Sequence, residues 1–415
     1  MRRAVVPLVL LLAAAAAHAK TSGGGTGLVV RYPSGDAPDL PALRLAMANP
    51  AVSTVIFEKG THLLVDPATN TATTLFVFRH SNLTLCGATG RADDVVIQTA
   101  AATTLLVEQS NGTVLRDLTL RSTHALGTAL RLNSVVSAEI ESFTDDTAID
   151  GCAFEGFVGV QAGVRMRNLT MGRSRCTVTQ AGGAGLVWED GSGLFLTRNR
   201  FTTAVAPDSG PTPIAAVFVR GPFVAASEGE RARHLLFSRN EVAGDFATGF
   251  DLADVTDVRL DRNRITFPAP QYTDVSPDPD ETRGRVGIVV RRAQASAQTE
   301  DFRLVRNTVH RAHYAAWLLN TGDGVVFAND FTQSGAATVD ARFGDVGGAL
   351  RMNMQNAQCG ITIRRNDFRH LRSPAGPSNP AVVIVPAGNE GACFGDDDRN
   401  RVDRGRLLYA GAAKR

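Results

Sequence analysis

Apolar and polar residues alternate in short runs along most of the chain, and the runs recur in one phrase. An alternating strand, then Arg-Asn, then another apolar residue appears in Leu194–Phe201, Leu235–Val242, Val258–Ile265, Phe302–Val309 and Ile361–Phe368. Looser copies centre on Asn82, Asp117, Cys152, Asn168, Asn329 and Asn400. A second phrase, Gly followed by alternating apolar residues, precedes most copies, as in Gly185–Trp188, Gly249–Leu252 and Gly287–Val290. Each repeat therefore predicts a strand, a turn, a second strand, an Asn turn and a short third strand. Asn240 and Asn263 lie 23 residues apart, and Asn307 and Asn329 lie 22 apart. Those steps match one coil of a three-faced solenoid. Longer steps, from 199 to 240 and from 263 to 307, predict insertions. The 16 residues from Cys152 to Asn168 are too few for a coil, which puts Cys152 in doubt as a ladder position.

Asparagine suits that turn physically. Its short amide tolerates unusual backbone angles. Stacked coils bring equivalent residues to about 4.8 Å. Each amide can then donate to the next, satisfying a group whose burial unpaired costs roughly 1–3 kcal/mol.

These phrases resemble the right-handed parallel β-helix of the pectin-lyase superfamily. The N-terminal order adds to the likeness: a capped amphipathic helix at Asp39–Met47, a strand at Val55–Thr61, then Asn82–Ala88. The resemblance implies an all-β fold, a single-stranded solenoid of about ten coils with an N-terminal capping helix. It assigns no activity, because this fold hosts lyases, hydrolases, epimerases, esterases and adhesins. Four segments are expected: a signal peptide at 1–19, an N-terminal segment with the capping helix at 20–54, the β-helix at 55–405 and a tail at 406–415.

The expected signal peptide rests on Arg2-Arg3, the apolar run Ala4–Ala17 and the small-residue site Ala17-His18-Ala19. It predicts an exported product, secreted or periplasmic, with no membrane span. Formal net charge is +2, so whole-molecule steering of a polyanion is not implied and nucleic acid is not expected as a partner. Only Lys20, Lys59 and Lys414 are lysines, which leaves chemistry needing a neutral lysine almost without candidates.

Other signals are weaker. The sequons at Asn82 and Asn168 read as ladder positions, leaving Asn111 as the exposed one. The chain has 5 cysteines. Cys359 and Cys393 each stand seven residues before a ladder Asn, so stacking predicts a disulfide between them. Cys152–Cys176 is a weaker pair, and Cys86 is left buried and free. His310 and His313 form only an H-x-x-H outside a helix, and no metal site is expected.

Alternation places Asp251, Val289, Arg291, Trp317 and Arg351 on the outer face of the strand that opens each repeat. Asp251, Trp317 and Arg351 are candidate substrate-binding residues: the indole stacks on a sugar ring and guanidinium pairs with uronate or sulfate. Arg291, Tyr314 and His313 are candidate catalytic residues, the last two as the general acid and base that β-elimination needs. An insertion at 268–284 precedes the Arg291 strand. Its Asp278, Asp280 and Glu281 read first as a solvated acidic loop, with calcium binding as the alternative. Finally, Arg116, Arg167, Arg198, Arg239, Arg262, Arg306, Arg365 and Arg399 each precede a ladder position and predict an arginine stripe along one edge. Together these features point to a monomeric, exported β-helix that binds an acidic polysaccharide and cleaves it by β-elimination. The alternative is a surface or binding protein without catalysis.

Overall fold

The computed structural model describes residues 27–34, 40–136, 141–163, 165–205, 213–221, 232–268, 285–293, 299–335, 348–353, 361–371, 381–384, 399–403 and 407–410. The signal segment 1–19, Asp39 of the expected helix cap, the bulk of the 268–284 insertion, Cys359 and Cys393 lie outside them.

Three parallel sheets wrap one bore. Among the described residues face one has 12 strands, face two has 9 and face three has 12. One coil illustrates the path: Ser192–Thr197 on face one, Arg200–Thr203 on face two, Ala215–Arg220 on face three. The next coil repeats it one strand further on, with Leu194 over Leu235 and Phe201 over Val242. This is the right-handed parallel β-helix that the resemblance implied.

The stack starts earlier and ends later than expected. Leu28–Tyr32 already pairs in parallel with Val52–Phe57. At the other end Leu407–Ala410 pairs with Ala381–Ile384, so the expected tail contributes a strand. The helix α1 spans Leu40–Ala48 and buries Leu40, Leu43 and Met47 against the first coils.

Alternation fills the bore. Leu186, Phe250, Ile288 and Ala316, the third residues of their face-three strands, all point inward and are fully buried. Phe154, Phe201, Phe237 and Phe302 pack in the same core. Each is worth roughly 1.5–3 kcal/mol when removed from water.

The asparagine ladder is continuous from Asn199 through Asn240, Asn263, Asn307, Asn329 and Asn366 to Asn400. From Asn240 onward each Oδ1 accepts twice from the preceding rung. Asn240 Oδ1, for example, takes the backbone N–H of Asn199 at 2.9 Å and its Nδ2 at 3.1 Å. Each Nδ2 donates again to a backbone carbonyl, such as Leu260 O from Asn307 at 2.9 Å. No amide is left unmatched, so burial costs little.

Several expected positions need correction. Ser174 precedes Asn199 in the ladder, and Cys152 precedes Ser174. Cys152 therefore is a rung, and Asn168 is not. Asn168 and Asn82 are exposed, with φ of 54° and 58°. They stack with Gly112, Asp146 and Gly193 at the corner that opens face one. Asp117 sits one residue before its rung, which is the buried Leu118. Cys152 and Cys176 do not bond. Both are buried free thiols, because Cys176 stacks on Phe154, two residues past Cys152. Burial pushes the Cys152 thiol up to about 12 and raises that of Cys176 further. Cys86 is free but only partly buried.

Candidate functional site

On face three the expected row is in register: Asp251 over Val289, Val289 over Trp317, Trp317 over Arg351. Its neighbours Phe250, Leu252, Ile288 and Val290 turn into the bore, so the row projects from the outer surface. Pointing outward has not meant exposure. Asp251 is 0 % exposed, Trp317 2 % and Arg291 8 %. Val286, Val289, Tyr314 and Trp317 form a small apolar cluster separate from the bore.

The carboxylates and guanidiniums of this region are engaged, whereas the buried Trp317 Nε1 has no hydrogen-bond partner among the described residues. Arg291 Nε and Nη2 donate to the two oxygens of Asp251 at 3.0 and 3.1 Å. Arg285 pairs with Asp245, both almost fully buried. The Arg351 guanidinium lies 5.1 Å from the Trp317 ring and 5.5 Å from the Tyr314 ring. The His313 ring meets the Tyr314 ring edge-on at 4.7 Å. Tyr314 opens a strand rather than sitting in a loop, with His313 just before it, and both are buried. All six candidate residues thus converge on one patch of face three, as a packed cluster.

The other candidate surface is the corner between faces one and two. There the residue just before each rung has a left-handed backbone: Arg173, Arg198, Arg239, Arg262, Arg306, Ala328, Arg365 and Arg399, with φ from 49° to 67°. The row differs from the expected stripe. Arg116 aligns with Asp150, one position too early, and Arg167 opens a face-one strand. Arg173 takes a place the sequence reading left empty, because its rung is Ser174 rather than Asn.

The arginine side chains of this row are exposed. Arg173 is held by Asp150, whose carboxyl that guanidinium lowers below its usual range. Arg262 stands 4.0 Å from Asp261. Arg198, Arg239 and Arg306 make no ion pair with the described residues. Asp150, Thr197, Ser238, Arg173, Arg198, Arg239 and Arg262 line a shallow groove of about 370 Å³. A second cavity of about 470 Å³ adjoins it, lined by Arg91, Arg175 and Arg200 among others and sharing Arg173 and Arg198. Neither cavity involves face three. Among the described residues no cluster of His, Cys, Asp or Glu could hold a metal ion.

No family model matches the chain, and no curated protein does. Among solved structures it is similar to the catalytic domain of a GH87 alpha-1,3-glucanase in complex with tetrasaccharides (10 % identity, 89 % of this chain and 70 % of that one, TM-score 0.42). It is also similar to the Dettilon tailspike protein (12 %, 89 % and 64 %, 0.48). A third likeness is to the A-module of the Azotobacter vinelandii mannuronan C-5 epimerase AlgE4 (10 %, 87 % and 91 %, 0.40).

Proposed function

We propose that this chain is an exported β-helix that binds an acidic polysaccharide along its arginine corner. One observation carries the reading: Arg198, Arg239, Arg262 and Arg306 stand on four adjacent coils, exposed, and three of them have no carboxylate partner among the described residues. Neighbouring guanidiniums about 4.8 Å apart repel by roughly 0.9 kcal/mol in water before screening. Each also sits in a left-handed conformation that costs a non-glycine residue on the order of 1 kcal/mol. A polymer with regularly spaced carboxylates or sulfates relieves the repulsion and takes paired hydrogen bonds from each guanidinium.

The test is binding of the mature protein to alginate and pectate by calorimetry over a range of salt. Affinity that falls as salt rises, and is lost when Arg198, Arg239 and Arg306 are all changed to Asn, supports the reading. Salt-independent binding, or binding that survives the triple change, overturns it.

A second reading is cleavage by β-elimination. The contact of His313 with Tyr314, with Arg351 over the same ring, favours it. In that chemistry a base takes the proton beside the uronate carboxyl, the C–O bond to the next sugar breaks, and the departing oxygen receives a proton. In this reading Tyr314 and His313 supply the acid and the base and Arg291 faces the carboxylate, which requires the packing over face three to open, since all three are buried. Absorbance of unsaturated ends tests it: Tyr314→Phe and Arg291→Ala abolish the signal, and a flat trace from the native protein on all uronate polymers discards it.

A further inference from the structure

The arginine groove is walled at one end. Most coils turn this corner in a few residues, as Val114–Arg116 leads through Asp117 and Leu118 to Thr119. The coil holding Thr84–Gly87 instead inserts Ala88–Asp94 before Val95.

Two contacts fix where that loop goes. The Thr119 hydroxyl donates to Ala92 O at 2.9 Å. Asp93 accepts from both terminal nitrogens of Arg175, Nη1 at 3.1 Å. Arg175 stacks on Ala153, Ala153 on Thr119, and Thr119 on Val96. The loop therefore leaves its own coil and reaches the third coil beyond, about 14 Å along the axis. Arg175 holds the Asp93 carboxyl below its usual range, in keeping with that anchor.

Gly90, Arg91, Ala92 and Asp93 face Asp117 and Gly151 across the larger cavity, whose remaining wall includes Arg173, Arg198 and Arg200. Charge changes along the corner in the same direction. The left-handed position is Arg at 306, 262, 239, 198 and 173, then Gly151, then Asp117.

We propose that the corner takes the end of an acidic glycan rather than an internal stretch. This rests on the reading of the corner as a polyanion site. The terminal sugar seats in the cavity under the 88–94 loop, among Arg91, Arg198 and Arg200. The chain then runs out over Arg239, Arg262 and Arg306. A continuous polymer has no onward path, because it meets the loop and then the Asp117 carboxylate.

Binding stoichiometry against polymer length tests this. Oligouronates of defined and increasing length, prepared from alginate, are titrated into the full chain. End capture gives one protein per oligomer at every length, with affinity rising until the oligomer spans Arg198 to Arg306 and then levelling. A protein count that grows in proportion to length overturns the inference while leaving the polyanion reading standing. No binding at any length overturns both. As a second arm, Thr89–Asp93 is replaced by a short glycine link, with folding checked by circular dichroism. The shortened chain is expected to bind internal stretches, so its count rises with length. A count that stays at one shows that the loop is not the stop and also overturns the inference.

Discussion

Asp93 and Arg175 join across three coils of the helix, a carboxylate from a corner loop meeting a guanidinium at the start of a face-two strand. The pair is largely exposed, so it adds little to global stability. Its consequence is local, since it holds the 88–94 loop over the corner. Asp93→Asn is expected to leave the melting temperature within about 2 °C of the native value, the shift of a pair worth well under 1 kcal/mol. Hydrogen exchange at residues 89–93 is expected to rise. A large loss of global stability would show that the pair does more than fix the loop.

The ladder carries far more. Asn307 is fully buried and serves both Asn263 donors as well as Leu260 O. Asn307→Leu removes all three of these bonds, leaving Asn263 Nδ2 only its bond to Phe237 O, and each buried group so deprived costs roughly 1–3 kcal/mol. Chemical denaturation is expected to show a loss of at least about 3 kcal/mol. The corner change Arg306→Asn, one residue away, is expected to alter stability by less than about 0.5 kcal/mol, since Asn tolerates the left-handed angle.

Arg291 and Asp251 form a buried bidentate pair. Arg291→Ala removes both of these bonds from the buried Asp251 carboxylate and is expected to cost about 3–5 kcal/mol. Urea unfolding alongside any activity assay separates that loss from a catalytic one. An Arg291→Ala protein as stable as the native chain would contradict the pair's structural role.

Asp330 titrates low, at about 2, chiefly through its hydrogen bond to His310. The ordinary value is 3.8. A depressed carboxyl stabilises the fold above its unfolded value and loses that contribution as pH falls through the folded one. The contribution from Asp330 is thus expected to be complete above pH 4 and to disappear between about 4 and 2. Carbon NMR of the Asp330 carboxyl is expected to give a midpoint near 2, moving toward 3.8 in His310→Ala. An unchanged midpoint in that variant removes His310 as the cause.

Asn366 and Asn400 are adjacent rungs, and Cys359 and Cys393 each stand seven residues before one of them. Peptide mapping without reductant is expected to find Cys359 joined to Cys393. Cys152 and Cys176 are expected to resist alkylation until the protein unfolds, because burial holds both as neutral thiols. Free Cys359 and Cys393 thiols in the intact protein would contradict the stacking argument.

The ladder was readable from Asn199 onward because one residue type recurs at one structural position. Before Asn199 the repeat hides the rungs, for a physical reason. The corner opening face one also uses left-handed residues, and Asn82, Asp146 and Asn168 serve there for the same conformational tolerance. Meanwhile Cys152 and Ser174 hold true rungs without looking like Asn. Alternation correctly turned Asp251, Val289 and Trp317 outward, yet it carries no information about what packs over an outer face. The closed end of the arginine groove was invisible for another reason. It depends on a contact between residues 93 and 175 that no local pattern encodes.

The arginine corner is proposed to be a polyanion site. Calorimetric titration of alginate oligomers into the native chain and into the Arg198→Asn, Arg239→Asn, Arg306→Asn variant tests it most directly. Salt-sensitive binding by the native chain is expected, with at least about a tenfold loss and unchanged stability in the variant, the effect of removing about 1.4 kcal/mol or more of contact energy. Equal affinity in the two proteins, or no binding by the native chain, would contradict it.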